Sequence, residues 1–522
     1  MWGEMLLDSK SNKPSWAEEK LSQIPNMVSE ISRKITDFRQ SYRELVINAE
    51  AFFEEYPTDY KKLTLLKHKV KTYQEQIDYI DNYRKEKGTF PAIKGHSSAK
   101  RYLSKLVAQQ SASDMELREL ETRLNTQSNN RYELLDHLTD HMLDLLSGER
   151  IFSQFLGTIA LSTPSPKEKV RHIRNEKYKP IFITALTIAL FEEVRTRHTF
   201  DSRFLHDELK KLFPSDKSYS LMADKLQQER EDSSAPEAMP GDIKLAYREN
   251  ILKPLAKAAL LQSIGMHSPE ANDVLGHDRY RKLDQQERER LLSIADKKTS
   301  DYLKIGIGIP TMRFNSREER DAYLSHEKKQ LAFILNTLKS TKYTGHELGD
   351  LLRIPMTYAS FMLSTKQDFD YRQIYRAYDI LEQGKADKAY NAVYVDCFLN
   401  MVGRFPLGSG IYVIQQESGE IERAIVSSLY PADPDEPTCK IITRRQIQFL
   451  SQAEVVVSKG SNLFFPESRE ASHYESEFFD ARYKDEFTWN ATDVWENQVP
   501  AIEFWKKDGT RRYNGSFNPD SY

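Results

Sequence analysis

His137 and His141 are the first residues whose type and spacing could do chemistry. Four apart, they share one face of a helix, flanked by Asp136 and Asp140. Two imidazoles at that spacing can hold a metal if further ligands arrive. The run reads His-Leu-Thr-Asp-His and lacks the glutamate that a zincin carries between its histidines. A solvated polar face is therefore the plainer expectation. Gly306-Ile307-Gly308-Ile309-Pro310 contains a Gly-x-Gly, but a third glycine and a preceding strand are lacking, so an ordinary turn is expected there. The two cysteines, Cys397 and Cys439, exclude a disulfide scaffold and a Cys-rich zinc module. The doublets Arg444-Arg445 and Arg511-Arg512 are too isolated to argue a phosphate site.

Such residues need elements to position them. At 522 residues, a rough prior of ~100–200 residues per domain suggests about three or four domains. Hydrophobic residues are 39% and charged residues 29%, as in a folded soluble protein. Lys plus Arg is 75 and Asp plus Glu is 78, a formal net charge of -3. That balance speaks against a generally basic nucleic-acid binder and against attachment to a membrane by bulk charge. The N-terminus lacks a basic stretch followed by an apolar core, so no signal peptide is expected and the cytoplasm is the expected compartment. The most apolar run, residues 181–191, falls far short of the ~20 residues needed to span a bilayer. It reads as a buried helix.

The first 150 residues predict a helical bundle or coiled coil. Ser15 and Glu18 have capping-box spacing. Apolar residues then recur at Val28, Ile31, Ile35, Phe38, Tyr42, Leu45, Ala49 and Phe52, a heptad seam. Tyr56-Pro57 predicts its end. A second seam follows at Leu63, Leu66, Val70, Tyr73, Ile77 and Ile80, and residues 88–95 are the next break. A third helical stretch covers about residues 98–147, with its seam at Leu117, Leu120, Leu124, Leu138, Met142 and Leu145. Three such helices bury their stripes on one another or on a second copy of the chain, and the pattern alone leaves both open. Further on, Pro164–Pro166 reads as a break, residues 177–197 as a helix, and residues 229–242 as a mobile surface loop.

From Lys244 onward the residues resemble a family. Ala258-Ala259-Leu260-Leu261-Gln262-Ser263-Ile264-Gly265-Met266 resembles the Leu-Leu-His-Asp-Ile-Gly-Lys helix of HD-domain phosphohydrolases, above all the HD-GYP branch that hydrolyses cyclic di-GMP. Lys282-Leu283-Asp284-Gln285-Gln286-Glu287-Arg288 resembles the helix start that follows in that branch. Residues 351–358 sit where it has Ile-Leu-Lys-Val-Ala-Asp-Val-Phe, and residues 386–398 resemble its closing helices. The similarity covers roughly residues 170–450. It implies an HD-like all-helical domain whose chemistry, in the family, uses histidines and aspartates to hold two or three metal ions that activate water. Here Gln262-Ser263 replaces the His-Asp pair, Met356 replaces the later aspartate, Ala295 falls near an expected histidine, and no Gly-Tyr-Pro occurs. Glutamine, serine and methionine do not substitute for imidazole and carboxylate on such metals. The resemblance therefore implies a pseudoenzyme with a vacated site near Gln262, Ser263 and Met356, and with no catalytic or metal-ligating residues. A rival reading takes His206-Asp207, with His172 upstream, as the ligands of a divergent metal-dependent phosphohydrolase. His277-Asp278 is a further such dipeptide; Ser325-His326-Glu327 resembles a remnant of the family's His-His-Glu segment, but one His and one Glu do not make a metal site and a solvated helix face is expected there.

From Phe405 the character changes. Strands are predicted near residues 411–414, 424–426 and 439–442, around a polar turn at 417–420, as a small antiparallel meander. Phe405-Pro406-Leu407-Gly408-Ser409 resembles the opening of a short β module that ends some HD-GYP proteins. The last sixty or so residues are dense in aromatics, among them Phe464, Phe465, Tyr474, Phe478, Phe479, Tyr483, Phe487, Trp489, Trp495, Phe504, Trp505, Tyr513 and Phe517. Rings in that number are expected to wrap the chain's own body, since leaving them exposed invites aggregation, although Trp and Tyr also anchor partners. Residues 502–513, around Asp508-Gly509, predict a terminal hairpin.

The expected fold is mainly α: a helical bundle or coiled coil (1–150), a degenerate HD-GYP-like helical domain (151–402), a small antiparallel β module (403–460) and an aromatic-rich tail (461–522). The expected function is a non-catalytic signalling or scaffold protein of a bacterial cyclic di-GMP pathway. It would act through protein partners or by binding cyclic di-GMP, without a cofactor, nucleic acid or membrane span, and with a homodimer through the N-terminal helices left open.

Overall fold

The computed structural model describes residues 16–146, 149–161, 169–195, 197–198, 200–212, 241–276, 278–416, 418–442, 454–493, 504 and 510–512. The break at Pro164–Pro166, most of the 229–242 loop, His277, Arg444-Arg445, Trp495, Trp505, Tyr513 and Phe517 lie outside the described residues.

The chain is mainly helical, with a small sheet toward its C-terminus. In order come α1 (Trp16–Lys87), α2 (Ala99–Leu145), α3 (Glu149–Leu161), α4 (Arg171–Arg195) and α5 (Arg203–Leu212). After these come α6 (Gly241–Tyr247), a π-helical segment (Arg248–Leu252), α7 (Lys253–Leu261), α8 (Pro269–Leu275) and α9 (Gln285–Asp301). A second π-helical segment (Tyr302–Ile307), α10 (Arg317–Ser340), α11 (Glu347–Met362), α12 (Arg376–Ala386) and α13 (Ala392–Val402) follow before the first strand. The described residues pack into two units that interleave in sequence, rather than into four consecutive regions. One draws on Met1–Gln40, His141–Lys244 and Ser340–Tyr522, the other on Ser41–Asp140 and Leu245–Lys339.

In the Ser41–Asp140 unit, α1 does not end at Pro57 but runs on to Lys87. An internal proline forfeits one backbone hydrogen bond and costs about 3 kcal/mol in a helix interior. Buried side chains on both sides of it (Leu45, Ala49, Phe52 and Phe53 before, Leu66, Ile77 and Ile80 after) hold the helix through that penalty. Two long helices therefore stand where three were expected. The true break is at Gly88, whose φ of 70° is the left-handed conformation that closes a helix, with its N–H on the Arg84 carbonyl at 2.9 Å. Past it, α2 returns antiparallel. Leu66 buries against Leu117 and Leu120, and Ile77 and Ile80 bury against Leu106. Lys62–Glu116 (2.8 Å) and Lys67–Glu121 (3.0 Å) flank this seam, but as half-exposed pairs they add little. Over these residues the heptad stripes close on each other.

The expected helix start at Lys282–Arg288 is real and has a local cause. Asp284 accepts from the Glu287 N–H while Glu287 reaches back to the Asp284 N–H, a capping box at the head of α9.

In the other unit, α4 carries the apolar run as a buried helix, packed on α11 and α13. Among the described residues no helix is long and apolar enough to cross a membrane. Strands β1 (Gly410–Ile414), β2 (Ile421–Val426), β3 (Thr438–Ile442), β4 (Glu454–Val456), β5 (Thr488–Trp489) and β6 (Thr510–Arg512) form one sheet in the order β5-β1-β2-β3-β4-β6. Neighbours are antiparallel except β4 and β6. The predicted terminal hairpin thus falls mostly outside the described residues, and its described part is a parallel strand on β4. Along β1, Ile411 and Val413 face a cluster with Phe405, Ala424, Val426 and Cys439. Ile414 faces the opposite way, onto Ile421, Leu463, Phe479, Tyr483 and Phe487. A sheet apolar on both faces needs two covers, and the aromatic tail is the second. Trp489 lies over Gly410 and donates its indole N–H to the Ile411 carbonyl at 2.9 Å.

Candidate functional site

The residues named by the family resemblance do not share a unit. Gln262 and Ser263, half-buried, close α7 in one unit, whereas Met356, also half-buried, lies in α11 of the other. His172 is buried in α4, while His206 and Asp207 are exposed on α5, where Asp207 sits 3.6 Å from Arg203. Among the described residues no three His, Cys, Asp or Glu side chains gather as a metal would require. Gly306 and Gly308 close the second π-helical segment. The Gly306 carbonyl accepts from Arg131 at 3.1 Å and the Ile307 carbonyl from Ser128, so the turn's acceptors serve the fold. His326 and Glu327 lie on α10, where Glu327 accepts from the Tyr132 hydroxyl at 3.1 Å.

The Asp136–His141 segment is a correction. The carboxylates beside His137 do not face solvent alone but neutralise two buried lysines. Lys257 Nζ is 2.7 Å from Asp136, and Lys253 Nζ is 3.1 Å from Asp136, 2.9 Å from Asp140 and 2.8 Å from Glu249. Lys257 also lies 4.5 Å from the Tyr132 ring centroid. The lysine side chains are only 6% and 5% exposed. Nothing in the local spacing of residues 136–141 signals this, because the lysines come from α7.

A half-buried and a fully buried carboxyl mark the start of α11. Glu347 accepts from the Asp201 N–H at 2.8 Å, and burial raises its carboxyl. Asp350, with no exposed surface, accepts from the Asn391 N–H at 2.7 Å and from Arg353 at 3.0 Å. Burial outweighs both partners and pushes its carboxyl up to about 6. A raised carboxyl favours the folded state while protonated. Its contribution is complete below the ordinary value of ~3.9 and is lost as pH rises through the folded value. Asp350 is therefore expected to remove about 3 kcal/mol of stability between pH 4 and pH 7. Urea unfolding across that range checks this: Asp350→Asn should flatten the profile, and an unchanged slope would refute the assignment.

A cleft of roughly 350 Å³ is lined by Asp370, Arg372, Gln373, Tyr375, Phe464, Arg469, Asp485, Glu486, Phe487 and Thr488. Its walls follow from local structure. Asp370 caps a short 3-10 turn, accepting from the Arg372 N–H at 3.0 Å, and its carboxylate also takes the Arg372 guanidinium at 2.9 and 3.0 Å. Burial raises the Asp370 carboxyl, but Arg372 outweighs it and holds the group below its ordinary value. Arg372 pairs with Glu486 as well. Tyr375 meets Phe464 edge-on at 4.8 Å, and the Arg469 guanidinium lies 4.0 Å from the Phe487 ring. Arg469 donates to the Leu463 and Phe464 carbonyls, so both arginines are already engaged. Helix α15 (Ser476–Tyr483; a short α14, Pro466–Glu470, precedes it) ends in Lys484 and Asp485, both left-handed at φ 48° and 62°. Consecutive left-handed non-glycine residues are uncommon and tend to lie where a loop is held for a purpose.

Chemically the cleft offers three rings, two committed arginines and three carboxylates. It pairs no nucleophile with a base. The thiols lie elsewhere and are inert: burial pushes Cys397 up to about 11 and raises Cys439 well above its ordinary value. Of the lining residues, sequence reasoning had noticed Phe464 and Phe487 as aromatic-tail residues. Asp370, Arg372, Arg469 and Asp485 were missed, because only the fold brings residues 370–375 against 464–488. No family model, curated protein or solved structure matches the chain.

Proposed function

We propose that the chain is a non-catalytic signalling or scaffold protein, of the HD-GYP-like kind its sequence resembles, that acts by protein–protein contact through the 370–375/464–488 cleft. The carrying observation is the cleft's make-up: aromatic walls with an excess of carboxylate over guanidinium, both guanidinium groups being already bound. Such a site favours a partner's arginine or lysine, laid on Phe464 or Tyr375 and paired with Asp485. It is a poor host for a dianion, which bears on cyclic di-GMP as the alternative occupant.

A photo-crosslinking residue at exposed Gln373, in cells making the full chain at native level, tests the reading. The expected result is a discrete adduct with another protein that is lost in Asp485→Asn. Asparagine tolerates the left-handed backbone, so that variant removes charge with little strain. No adduct, or one that survives Asp485→Asn, overturns the proposal. Labelled cyclic di-GMP titrated with chelator present gives the second arm. Micromolar binding would make the protein a nucleotide receptor instead.

A further inference from the structure

Arg131, on α2, is a buried arginine with most of its donors unspent. It is 7% exposed, and among the described residues it forms no ion pair. Its Nη1 donates to the Gly306 carbonyl at 3.1 Å, and its guanidinium carbon lies 5.3 Å from the Phe52 ring centroid. Nη1 sits on the Cδ side of the group. The Nε–H and the Nη2–H beside it point the other way and meet no acceptor among the described residues. Nε is shut off from solvent, whereas Nη2 keeps contact with it, which leaves a way in. That side-on pair is the fork that grips a carboxylate or phosphate through two parallel hydrogen bonds.

A second unmatched donor lies beside the fork. Tyr302, fully buried, opens the second π-helical segment, and its hydroxyl makes no hydrogen bond among the described residues. Its ring meets Phe52 edge-on, with centroids 5.5 Å apart, and lies over Gly306, where a Cβ would be 2.7 Å from its Cδ2. Tyr302 and Arg131 thus share Phe52 and Gly306 as neighbours, and each feels the other's charge. Burial pulls the Arg131 guanidinium below its ordinary value against Tyr302 and Glu55. Burial raises the Tyr302 hydroxyl against Arg131, so it keeps its proton.

The fold accounts for the Nη1 bond and for the ring contact, but not for the fork. Glu55 does not fill it, being exposed and forming no ion pair with Arg131. A buried donor left unmatched is a cost that a bound acceptor removes. Single π-helical turns recur at functional sites.

The geometry points to a site for the carboxylate of a small organic acid, held by the Arg131 Nε–Nη2 fork and the Tyr302 hydroxyl. A monoanion suits it better than a phosphate dianion, because the site holds one cation and Glu55 opposes further negative charge. Phe52, on which Tyr56 stacks at 5.0 Å, is an apolar wall for the acid's body. The site lies in the unit formed by Ser41–Asp140 and Leu245–Lys339, and it does not depend on the function proposed for the cleft.

The test is fluorine NMR of para-fluorobenzoate titrated with the full chain at fixed ionic strength, with uncharged para-fluorobenzamide as the shape control. Saturable broadening of the acid, reversed by acetate, is expected, and none of the amide. Arg131→Lys keeps the charge and a donor for Gly306 but loses the fork, and should weaken binding about tenfold. Tyr302→Phe, the milder change, should weaken it about threefold. Its melting temperature should be no lower than the parent's, because the hydroxyl has no partner to lose. Arg118→Gln removes an exposed arginine of the same helix and should bind like the parent. Equal broadening of acid and amide would overturn the proposal, as would parental binding by both Arg131→Lys and Tyr302→Phe. Inorganic phosphate that displaces the acid more strongly than acetate does would overturn the carboxylate assignment.

Discussion

Asp136→Ala is expected to lower the unfolding free energy by about 3–5 kcal/mol, the usual cost of stranding one partner of a buried ion pair. Asp136 is the described carboxylate on Lys257, at 2.7 Å, and it shares Lys253 with Asp140 and Glu249. Without it, Lys257 keeps the Tyr132 ring, which weakly offsets the lost hydration of a buried ammonium. Urea unfolding reads the loss. The double variant Asp136→Ala/Lys257→Met should recover most of it, because the stranded charge leaves with the lysine. If the single variant costs under about 1 kcal/mol, the pair behaves as a surface salt bridge and the burial argument fails. The pH dependence has a definite sign. Burial raises the Asp136 carboxyl, but Lys257 and Lys253 outweigh it and hold the group below its ordinary value. Its contribution is therefore present above pH ~4 and lost as pH falls through the lower folded value.

Gly265→Ala is expected to cost about 3 kcal/mol or more, at or beyond the upper end of core overpacking. A Cβ at this position would lie 2.0 Å from the Ala295 carbonyl oxygen and 2.8 Å from the Thr299 nitrogen, so α9's backbone would have to move. The Gly265 N–H also donates to the Thr299 hydroxyl at 3.1 Å, which pins the turn to α9. Gly460→Ala is the control. Nothing lies within 4 Å of its Cβ, and a change within about 0.5 kcal/mol is expected. Equal, small effects at both sites in urea unfolding would show that the 264–267 turn does not press on α9.

How much was legible varies with the range of the interaction. The seams at Leu66, Ile77, Ile80, Leu117 and Leu120 were readable because heptad spacing is a local code, and the same residues are buried. The Asp284/Glu287 helix start and the β1–β2–β3 meander were readable for the same reason. Pro57 misled because a local rule carries about 3 kcal/mol, which packing on both sides exceeds. The ion network on Asp136 and Asp140 was illegible from one segment, since α2 supplies the carboxylates and α7 and the first π-helical segment supply the cations and Glu249. The aromatic tail was legible as a wrapper in kind. That it covers the second face of the sheet followed only from which strand residues point each way.

The sequence by itself determined that the chain is mainly helical, where the first three strands of its sheet would form, and that its apolar stripes suffice to bury long helices. Those outcomes depend on periodicity and capping, which act within a few residues. Only the tertiary structure decided that α1 passes through Pro57, that Asp136 meets Lys253 and Lys257, that residues 370–375 and 464–488 line one cleft, and that Arg39 meets the Tyr178 ring. Each of those joins residues far apart in the chain. Their energies come from desolvation and close packing, which no spacing rule encodes.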